Sequence, residues 1–376
     1  MALEIRELRF RNFRNYVNLE LDGLGELVIL VGPNGSGKTN ILEGIDLLTS
    51  ASSFRHPMIE QMIFDGADCA VLRLHGEGDG RVLESELELQ KGKKKYSLNG
   101  KQKSTADMKG VLPSVTFVPD DLNLAKKSSS IKREMIDDLG CQLTRNYYVV
   151  RRDYMKALRY KNKLLKEEAH EMLLDSIDET LVTCATQLCY YRYELFRRMV
   201  PLVADNYGRI SSSQEEFSAT YIPSWIYLGH EDKESEVPFK KREGISRESI
   251  RMALEQSLVH WHTEEIKRAR ALVGPHNDKI GFFLNDRAAA DFASQGQQRS
   301  IVLAWKMAEV DVIRQSLGTY PVLLLDDVMS ELDTERRALL IELVRQEVQT
   351  FITATDLSYF PADIVDKAKV IRLPIT

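Results

Sequence analysis

The sequence predicts a mixed α/β protein with a helical insertion. Short apolar runs typical of strands occur near both ends of the chain, whereas apolar residues in the middle recur at three- and four-residue steps. A glycine-rich loop at residues 32–39 stands between a predicted strand and a predicted helix. The simplest arrangement is one α/β domain formed by residues 1–121 and 272–376, interrupted by an inserted helical domain at residues 122–271.

Length and composition are those of an ordinary globular protein. The 376 residues are enough for two domains; 43% of them are hydrophobic and 28% charged. The net charge of −5 argues against a protein that covers nucleic acid with its whole surface, although it allows a local basic face. We recognise neither a signal peptide nor a membrane-crossing apolar run, and therefore expect a cytoplasmic protein with no membrane partner. The four cysteines show no C-x-x-C spacing, so neither a zinc site nor a disulfide framework is indicated.

The first 121 residues are predicted to form mainly strands. Their alternating or short apolar runs indicate strands, and Asn99-Gly100 is a strong signal for a two-residue hairpin turn. A helix is expected at residues 40–49, directly after the glycine-rich loop. The predicted strands are residues 3–10, 27–31, 71–75, 81–90 and 115–118.

The middle of the chain has helical periodicity. One apolar series covers residues 136–157, and a second covers residues 174–195, with Pro201 expected to end the second helix. A third helix is expected to begin near Ser246 and to continue past Ile266. Polar stretches at residues 211–213 and 229–242 are expected to be loops.

The last third of the chain returns to α/β character. Helices are expected after Gly296 and at residues 334–347, between short apolar strands. These strands would complete the sheet begun by the N-terminal half. They are predicted at residues 280–284, 322–325, 351–353 and 370–373.

Residues 32–39 match the pattern G-x-x-x-x-G-K-[ST] of a phosphate-binding loop. Glycines allow backbone N–H groups to turn toward phosphate oxygens, and the following helix directs its positive dipole end at the same anion. The Lys38 ammonium can reach the β- and γ-phosphates, and the Thr39 hydroxyl can ligate Mg²⁺. The residues expected to bind ATP here are Gly32, Asn34, Gly35, Ser36, Gly37, Lys38, Thr39 and Asn40.

Two carboxylates follow an apolar strand near the C-terminal end. A buried strand that ends in a carboxylate places an acid beside a phosphate loop, so Asp326 is expected to hold Mg²⁺ together with Thr39. Asp327 is then placed to orient or deprotonate the attacking water. We therefore predict Lys38, Asp326 and Asp327 as the catalytic residues.

A third motif lies upstream of these carboxylates. The segment Ser294-Gln295-Gly296-Gln297-Gln298-Arg299 resembles the signature motif of ABC-type ATPases, and Ser330-Glu331-Leu332-Asp333 resembles their D-loop. In that superfamily the signature meets the γ-phosphate bound by the opposite protomer. The resemblance adds Ser294, Gly296, Gln297 and Asp333 to the predicted nucleotide contacts. Taken alone, the segment from Ser294 to Gln298 is more typical of an ordinary helix cap.

The whole chain resembles the RecF family of bacterial recombination and repair ATPases. The resemblance implies an ABC-type P-loop ATPase head of two lobes, with the helical domain inserted in it. It also implies an ATP-dependent homodimer that closes as a clamp on gapped DNA or single-strand/double-strand junctions, and that works with RecO and RecR in loading the recombinase. The segments that carry it are residues 11–16, the phosphate loop with Asn40, and residues 117–122, 274–276, 293–299 and 324–333.

The chain departs from the family pattern at three places. Asn277 and Lys132 stand where the family tends to have arginine, so the resemblance does not extend to a phosphate contact by residue 277, whereas the charge at residue 132 is kept. The switch histidine of ABC-type ATPases is replaced by Thr353-Ala354-Thr355-Asp356, as is common in RecF proteins. Without an imidazole there, we expect slow, DNA-stimulated ATP hydrolysis that serves as a switch.

Three stretches concentrate positive charge. Residues 126–166 contain twelve Lys or Arg against four Asp or Glu, and residues 91–103 contain six lysines and no acid. Each stretch is able to pair with DNA phosphates in a sequence-tolerant way, but each is also typical of a solvated helix face or a protected edge strand. The third stretch consists of Arg6, Arg9, Arg11 and Arg14.

Other functions stay open from the residues alone. A DNA-processing nuclease with an ABC-type head would need a metal-binding cluster, whereas the histidines of this chain are scattered. A transporter ATPase subunit would need a coupling surface, of which the sequence gives no sign. A long-arm chromosome-organising ATPase would need coiled coils on the order of hundreds of residues, and the insertion here is too short for them.

Overall fold

A computed structural model describes residues 3–78, 80–211, 215–227, 245–345 and 348–374. The chain divides into two compact units. The first consists of Met1–Leu122 and Val302–Thr376, and the second of Asn123–Ile301. The predicted loop at residues 229–242 and most of the one at residues 211–213 lie outside the described residues.

The first unit contains two sheets. Five parallel strands form one sheet in the order β14-β3-β13-β12-β8, and six antiparallel strands form the other in the order β2-β1-β4-β5-β6-β7. The strands are β1 (Glu4–Phe13), β2 (Tyr16–Leu21), β3 (Leu27–Val31), β4 (Cys69–Gly78), β5 (Arg81–Gln90), β6 (Lys93–Leu98), β7 (Lys101–Lys103), β8 (Ser114–Phe117), β12 (Val322–Asp326), β13 (Thr350–Ala354) and β14 (Lys369–Arg372). Its helices are α1 (Lys38–Thr49), α2 (Thr105–Met108), α10 (Val328–Glu331), α11 (Thr334–Val344) and α12 (Ala362–Lys367).

Helix α1 joins both sheets of the first unit into one core. Ile41 and Leu42 of α1 are fully buried in a cluster that also includes Leu72 of the antiparallel sheet and Leu324 of the parallel sheet. A Cβ atom at Gly44 would overlap the ring of Phe10, so glycine permits the close approach of helix and sheet. This packing holds the N-terminal end of α1 at the carboxyl ends of the parallel strands, where α/β sheets bind ligands.

The second unit is mainly helical and includes a small antiparallel sheet. The helices are α3 (Ser129–Leu143), α4 (Arg145–Lys166), α5 (Glu171–Ser211), α6 (Ser224–Tyr227), α7 (Arg247–Arg268) and α8 (Ala289–Phe292), and α9 (Gln295–Leu317) begins in this unit and continues into the first. The three strands are β9 (Phe217–Ile222), β10 (Lys279–Leu284) and β11 (Arg287–Ala288).

Two helix boundaries differ from the predictions. The prediction that Pro201 ends its helix is wrong, since α5 continues to Ser211. The buried side chains of Met199, Val203 and Tyr207 lie on both sides of this exposed proline. Burying each contributes roughly 1.5–3 kcal/mol, which together outweighs a proline penalty of roughly 3 kcal/mol.

The apolar series at residues 136–157 belongs to two helices, not to one. Thr144 has extended backbone angles between α3 and α4. Its hydroxyl accepts a hydrogen bond from the Tyr147 N–H at 3.3 Å, which makes it the N-cap of α4. The chain therefore turns without interrupting the apolar periodicity.

The division into units differs in part from the expected domain boundaries. The first segment ends at Leu122, one residue after the expected position. Residues 272–301, expected in the C-terminal half, are part of the second unit because β10 pairs along β9, from Lys279 with Ile222 to Leu284 with Phe217. Strand β9 was not predicted; five of its six residues are buried, so no alternation marks it.

The structure also bears on membrane-spanning helices and on the state of the cysteines. Among the described residues, no helix combines the length and apolar character needed to cross a membrane. The four cysteines are free thiols, of which Cys141 and Cys189 are buried and Cys69 and Cys184 partly exposed.

Candidate nucleotide-binding site

The phosphate loop connects β3 to α1 and depends on glycine at two positions. A Cβ atom at Gly32 would lie 2.5 Å from the Leu373 carbonyl oxygen, and one at Gly37 would overlap the Tyr16 hydroxyl. Gly37 also has φ = 99°, a conformation that side-chain-bearing residues rarely adopt. Local backbone requirements therefore explain why the motif has glycine there.

The ammonium group of Lys38 is held by the loop itself. Its Nζ donates to the backbone oxygens of Gly32 at 2.7 Å and Pro33 at 2.9 Å, and the residue is only 7% exposed. A buried cation is costly unless it is neutralised or well hydrogen-bonded. The site is therefore suited to a phosphate, which would supply the negative charge that two neutral carbonyls lack.

Thr39 and Asp326 converge although they are far apart in the sequence. The Thr39 hydroxyl donates to Asp326 Oδ1 at 2.9 Å, and the Thr353 hydroxyl donates to the same oxygen at 2.8 Å. Asp326 ends β12, and Thr353 lies beside it on β13. The register of these two parallel strands thus positions the carboxylate against the first turn of α1.

Asp327 has an unusual backbone conformation and environment. Its φ of 50° lies in the left-handed region, and its N–H donates to the Thr353 hydroxyl at 2.8 Å. Burial raises the pKa of the Asp327 carboxyl, with Asp326 adding to the rise and Lys38 opposing it. A carboxylate with a raised pKa beside a phosphate loop is suited to accept a proton from water.

Two buried oxygens test whether the site fits ATP and Mg²⁺. Ser36 Oγ in the phosphate loop and Asp327 Oδ1 are buried and have no hydrogen-bond partner among the described residues. Such atoms are rare in native proteins and indicate that a ligand, ion or water completes them. The residues present therefore fit the group: Thr39 and Asp326 are the pair that would hold Mg²⁺, which would neutralise phosphate charge.

Sequence comparison identifies the family. Residues 4–362 match the model of the RecF/RecN/SMC N-terminal domain. The chain is 34% identical over 375 residues to the DNA replication and repair protein RecF of Thermosynechococcus vestitus, with 98% of this chain and 95% of that protein covered. The chain belongs to the RecF family. The RecF protein of Gloeobacter violaceus is also similar, at 32% identity over 376 residues, with 98% and 96% covered.

Solved structures agree with this family. The recombination mediator protein RecF of the RecFOR pathway, solved with ATP, is 28% identical and superposes with a TM-score of 0.83, covering 96% of this chain and 94% of that one. The SMC head bound to the C-terminal winged-helix domain of ScpA shares the fold, with a TM-score of 0.53 at 15% identity, over 99% of this chain and 94% of that one. The predicted ABC-type ATPase head, mixed α/β with helical segments, is therefore confirmed.

A polar network behind the phosphate loop of this RecF-family chain was not predicted. Glu43 is fully buried within α1, and its carboxylate accepts from Arg14 Nε at 2.8 Å and from Ser53 Oγ at 2.7 Å. Asn40, a predicted ATP contact, donates to Asn15 Oδ1 and accepts from Arg55, both at 2.8 Å. The sequence feature that could have indicated this network is Glu43, an acidic residue among the apolar residues of α1.

The segment that was predicted as the signature motif lies in the second unit. Ser294 N donates to Gln297 Oε1 at 2.6 Å, and Gln297 N donates to Ser294 Oγ at 3.2 Å, which is a reciprocal cap at the start of α9. Gly296 follows within the first turn. Asp333, predicted from the D-loop, caps α11 by accepting from Arg336 N at 2.9 Å.

The structure distinguishes among the basic stretches. Arg14 is committed to Glu43, and Lys161 lies buried between Asp178 and Glu265. Lys132, also buried, donates to the Ala125 carbonyl at 3.0 Å. In contrast, Lys93, Lys94 and Lys95 of β6 are exposed.

The residues that the structure describes contain no group of three His, Cys, Asp or Glu suited to a metal ion.

Proposed function

We propose that this chain is an ATP-dependent DNA-binding protein of recombinational repair and replication. Its relatives are described as DNA replication and repair proteins, and a similar solved structure as a recombination mediator. The observation that carries the proposal is the convergence of Lys38, Thr39, Asp326 and Asp327 at one end of the parallel sheet. The protein would act in the cytoplasm, on gapped or junction DNA and without reading bases, and it would promote recombinase loading together with RecO and RecR.

The residues of the nucleotide site would have different roles in binding and hydrolysis. The phosphate-loop N–H groups and Lys38 would bind the β- and γ-phosphates, with Gly32, Asn34, Gly35, Ser36 and Gly37 forming the loop around them. Asp327 would take the proton of the attacking water, since its raised pKa favours that transfer. Thr353 would keep the Asp326 carboxylate and the Asp327 backbone in place through its two hydrogen bonds. We propose that hydrolysis is slow and DNA-stimulated, and that it resets a conformational state.

The second half of the site would come from another copy of the chain. Ser294, Gly296 and Gln297 lie at the N-terminal end of α9, where they would contact the γ-phosphate, and Asp333 would contact the nucleotide from the D-loop. Two protomers would then close on two ATP molecules, and the γ-phosphate would bridge the open and closed states. ATP thereby becomes the switch of a DNA clamp.

Sedimentation velocity with ATP and gapped DNA tests this proposal. Wild type should dimerise; Lys38→Met should lose about 100-fold in ATP affinity, because a charge-assisted phosphate contact is removed. Ser294→Arg should bind ATP and stay monomeric, because the larger cation occupies the expected γ-phosphate position. Dimerisation of Ser294→Arg at the wild-type level would refute the signature assignment, and a monomeric wild type would refute the clamp.

Matched substitutions control for charge and size. Lys367→Met removes an exposed lysine of α12, outside the three basic stretches. Ser128→Arg introduces the same side chain before α3 in the second unit, at an exposed serine with no side-chain capping hydrogen bond. Both controls should dimerise with ATP as the wild type does.

A further inference from the structure

The second unit contains a cavity that is lined by arginines. Its volume is about 420 Å³, a size typical of small-ligand sites. Five arginines contribute to its lining, together with the carboxylates of Glu134 and Asp137. The five are Arg133, Arg151, Arg152, Arg159 and Arg192. Asp138, Asp153 and Asp278 pair with three of these arginines from outside the lining, so the charge that attracts an anion lies on the guanidinium groups that stay exposed.

One face of α4 supplies the outer part of the cavity. Tyr148, Arg152, Met155 and Arg159 recur at steps of four, three and four residues, which places them along one stripe of the helix. The exposed residues of this stripe continue the positive surface of the helix, where Lys156 is also exposed. A chain-like anion is therefore able to leave the cavity along a basic surface.

The inner arginines, Arg151 and Arg192, already form ion pairs with the carboxylate of Asp137. Arg192 binds both oxygens of Asp137, with Nε–Oδ1 at 3.0 Å and Nη2–Oδ2 at 2.9 Å. Arg151 also contacts Asp137 at 3.3 Å and reaches Asp138 at 2.8 Å. The carboxylate of Asp137 thus neutralises the back of the cavity and not its opening.

The outer arginines retain their charge for a ligand. The Arg152 side chain is 55% exposed and pairs only with its neighbour Asp153, and Arg159 is exposed and forms no ion pair within the described part of the chain. Burial, and then the nearby Arg192, lower the pKa of Arg133, whereas Asp278 and Asp137 oppose this shift.

His276 and Tyr154 form an uncharged wall. Tyr154 Oη lies 2.5 Å from His276 Nδ1, and His276 Nε2 lies 3.2 Å from the Ala271 carbonyl oxygen. Burial lowers the pKa of His276 to about 4, so the imidazole stays neutral near pH 7. The donors available to an anion are therefore guanidinium groups, whose forked geometry matches phosphate.

We propose that this cavity binds a backbone phosphate of a DNA strand, with Arg152 and Arg159 as the principal contacts. The inference rests on the proposed DNA-binding function and assigns one contact surface to it. A duplex is too wide for the cavity, whereas one phosphodiester with its sugar fits, and Tyr148 and Met155 offer apolar surface beside it. A guanidinium contact to the backbone positions a strand without reading its sequence.

The test compares two double variants of α4 with the same change in charge. Arg152→Gln/Arg159→Gln alters the cavity, whereas Lys163→Gln/Lys166→Gln removes two exposed cations further along the helix. Binding of labelled gapped DNA is measured by fluorescence anisotropy over a series of salt concentrations. The cavity variant should bind about tenfold more weakly and lose about one unit of the slope of log K against log salt. The control should keep the wild-type slope.

Each outcome bears on a different claim. If wild type binds DNA and both double variants behave alike, the cavity assignment is wrong and the proposed function stands. If wild type fails to bind DNA, the proposed function fails and the assignment fails with it. Calorimetry with inorganic pyrophosphate, in a Lys38→Met background, separates a free anion from a strand. Loss of pyrophosphate binding in the cavity variant with unchanged DNA binding would overturn the assignment to DNA.

Discussion

The nucleotide site of the first unit and the arginine cavity of the second unit are assembled in different ways. The nucleotide site takes most of its groups from the contiguous residues 32–39 and the rest from two adjacent strand ends, at Asp326 and Thr353. The cavity takes its groups from α3, α4, α5 and the turn at His276. The first site is therefore specified mainly by local backbone geometry, and the second by long-range packing.

The two sites also treat buried charge differently. Lys38 donates its hydrogen bonds to neutral carbonyl oxygens, which leaves its charge available to a phosphate ligand. Arg192 is buried against Asp137 and is neutralised within the protein. A substitution in the nucleotide site should therefore affect chemistry more than folding, and a substitution at the back of the cavity should do the reverse.

Asp327→Asn is expected to have the largest effect on turnover. Removing the proton acceptor should lower kcat for ATP hydrolysis by about 10³-fold, within the range for general-base catalysis, and should leave ATP binding in place. Phosphate release and equilibrium binding of a fluorescent ATP analogue measure the two effects. Glu335→Gln, an exposed acid on α11, is the matched control. Unchanged kcat in the variant would remove Asp327 from the mechanism.

Arg192→Leu should reveal the opposite behaviour of the second unit. The substitution leaves Asp137 buried without its bidentate partner, which costs about 3 kcal/mol and should lower the unfolding temperature by about 10 °C. Differential scanning calorimetry measures the change. Arg197→Leu, which removes an exposed pair with Glu194, should change the free energy of unfolding by no more than about 1 kcal/mol. Equal shifts for both variants would contradict the contrast between the two sites.

Thr353→Val should have a smaller effect that separates positioning from binding. The change leaves the Asp327 N–H and one Asp326 oxygen with one hydrogen bond fewer, at a cost of about 1–3 kcal/mol. We expect kcat to fall about tenfold or more with little change in ATP affinity. Thr353→Ser keeps the hydroxyl and should restore most of the activity. Failure of serine to do so would indicate that the methyl group, not the hydrogen bonds, matters.

The pH dependence of wild-type turnover should show the smallest effect. The pKa of Asp327 is raised, so a water-activating carboxylate would be ionised above that pKa and protonated below it. The kcat should therefore decline with falling pH before an ordinary aspartate titrates. Circular dichroism at each pH checks that the chain stays folded. An acidic limb at the position of an ordinary aspartate would argue against the role of Asp327.

Much of the first unit was predictable because its signals are local. The strands before and after the phosphate loop, helix α1 and the Asn99-Gly100 turn follow from short-range periodicity and from glycine geometry. The second unit was less predictable. Thr144 separates two helices without breaking the apolar spacing. Helix α5 continues through Pro201 because the packing of its buried side chains outweighs the tendency of proline to end a helix.

The sequence by itself determined the family, the α/β architecture and the chemistry of the phosphate loop. The residues of a contiguous motif fix the local backbone conformation and the position of the charged group without help from distant segments. Only the tertiary structure decided that Thr353 forms hydrogen bonds with both Asp326 and Asp327 and that Glu43 pairs with Arg14. It also decided which basic residues stay exposed to a ligand. Those contacts depend on strand register and on helix packing between distant segments. A pattern of residue types along the chain does not specify which of many equivalent charges meet.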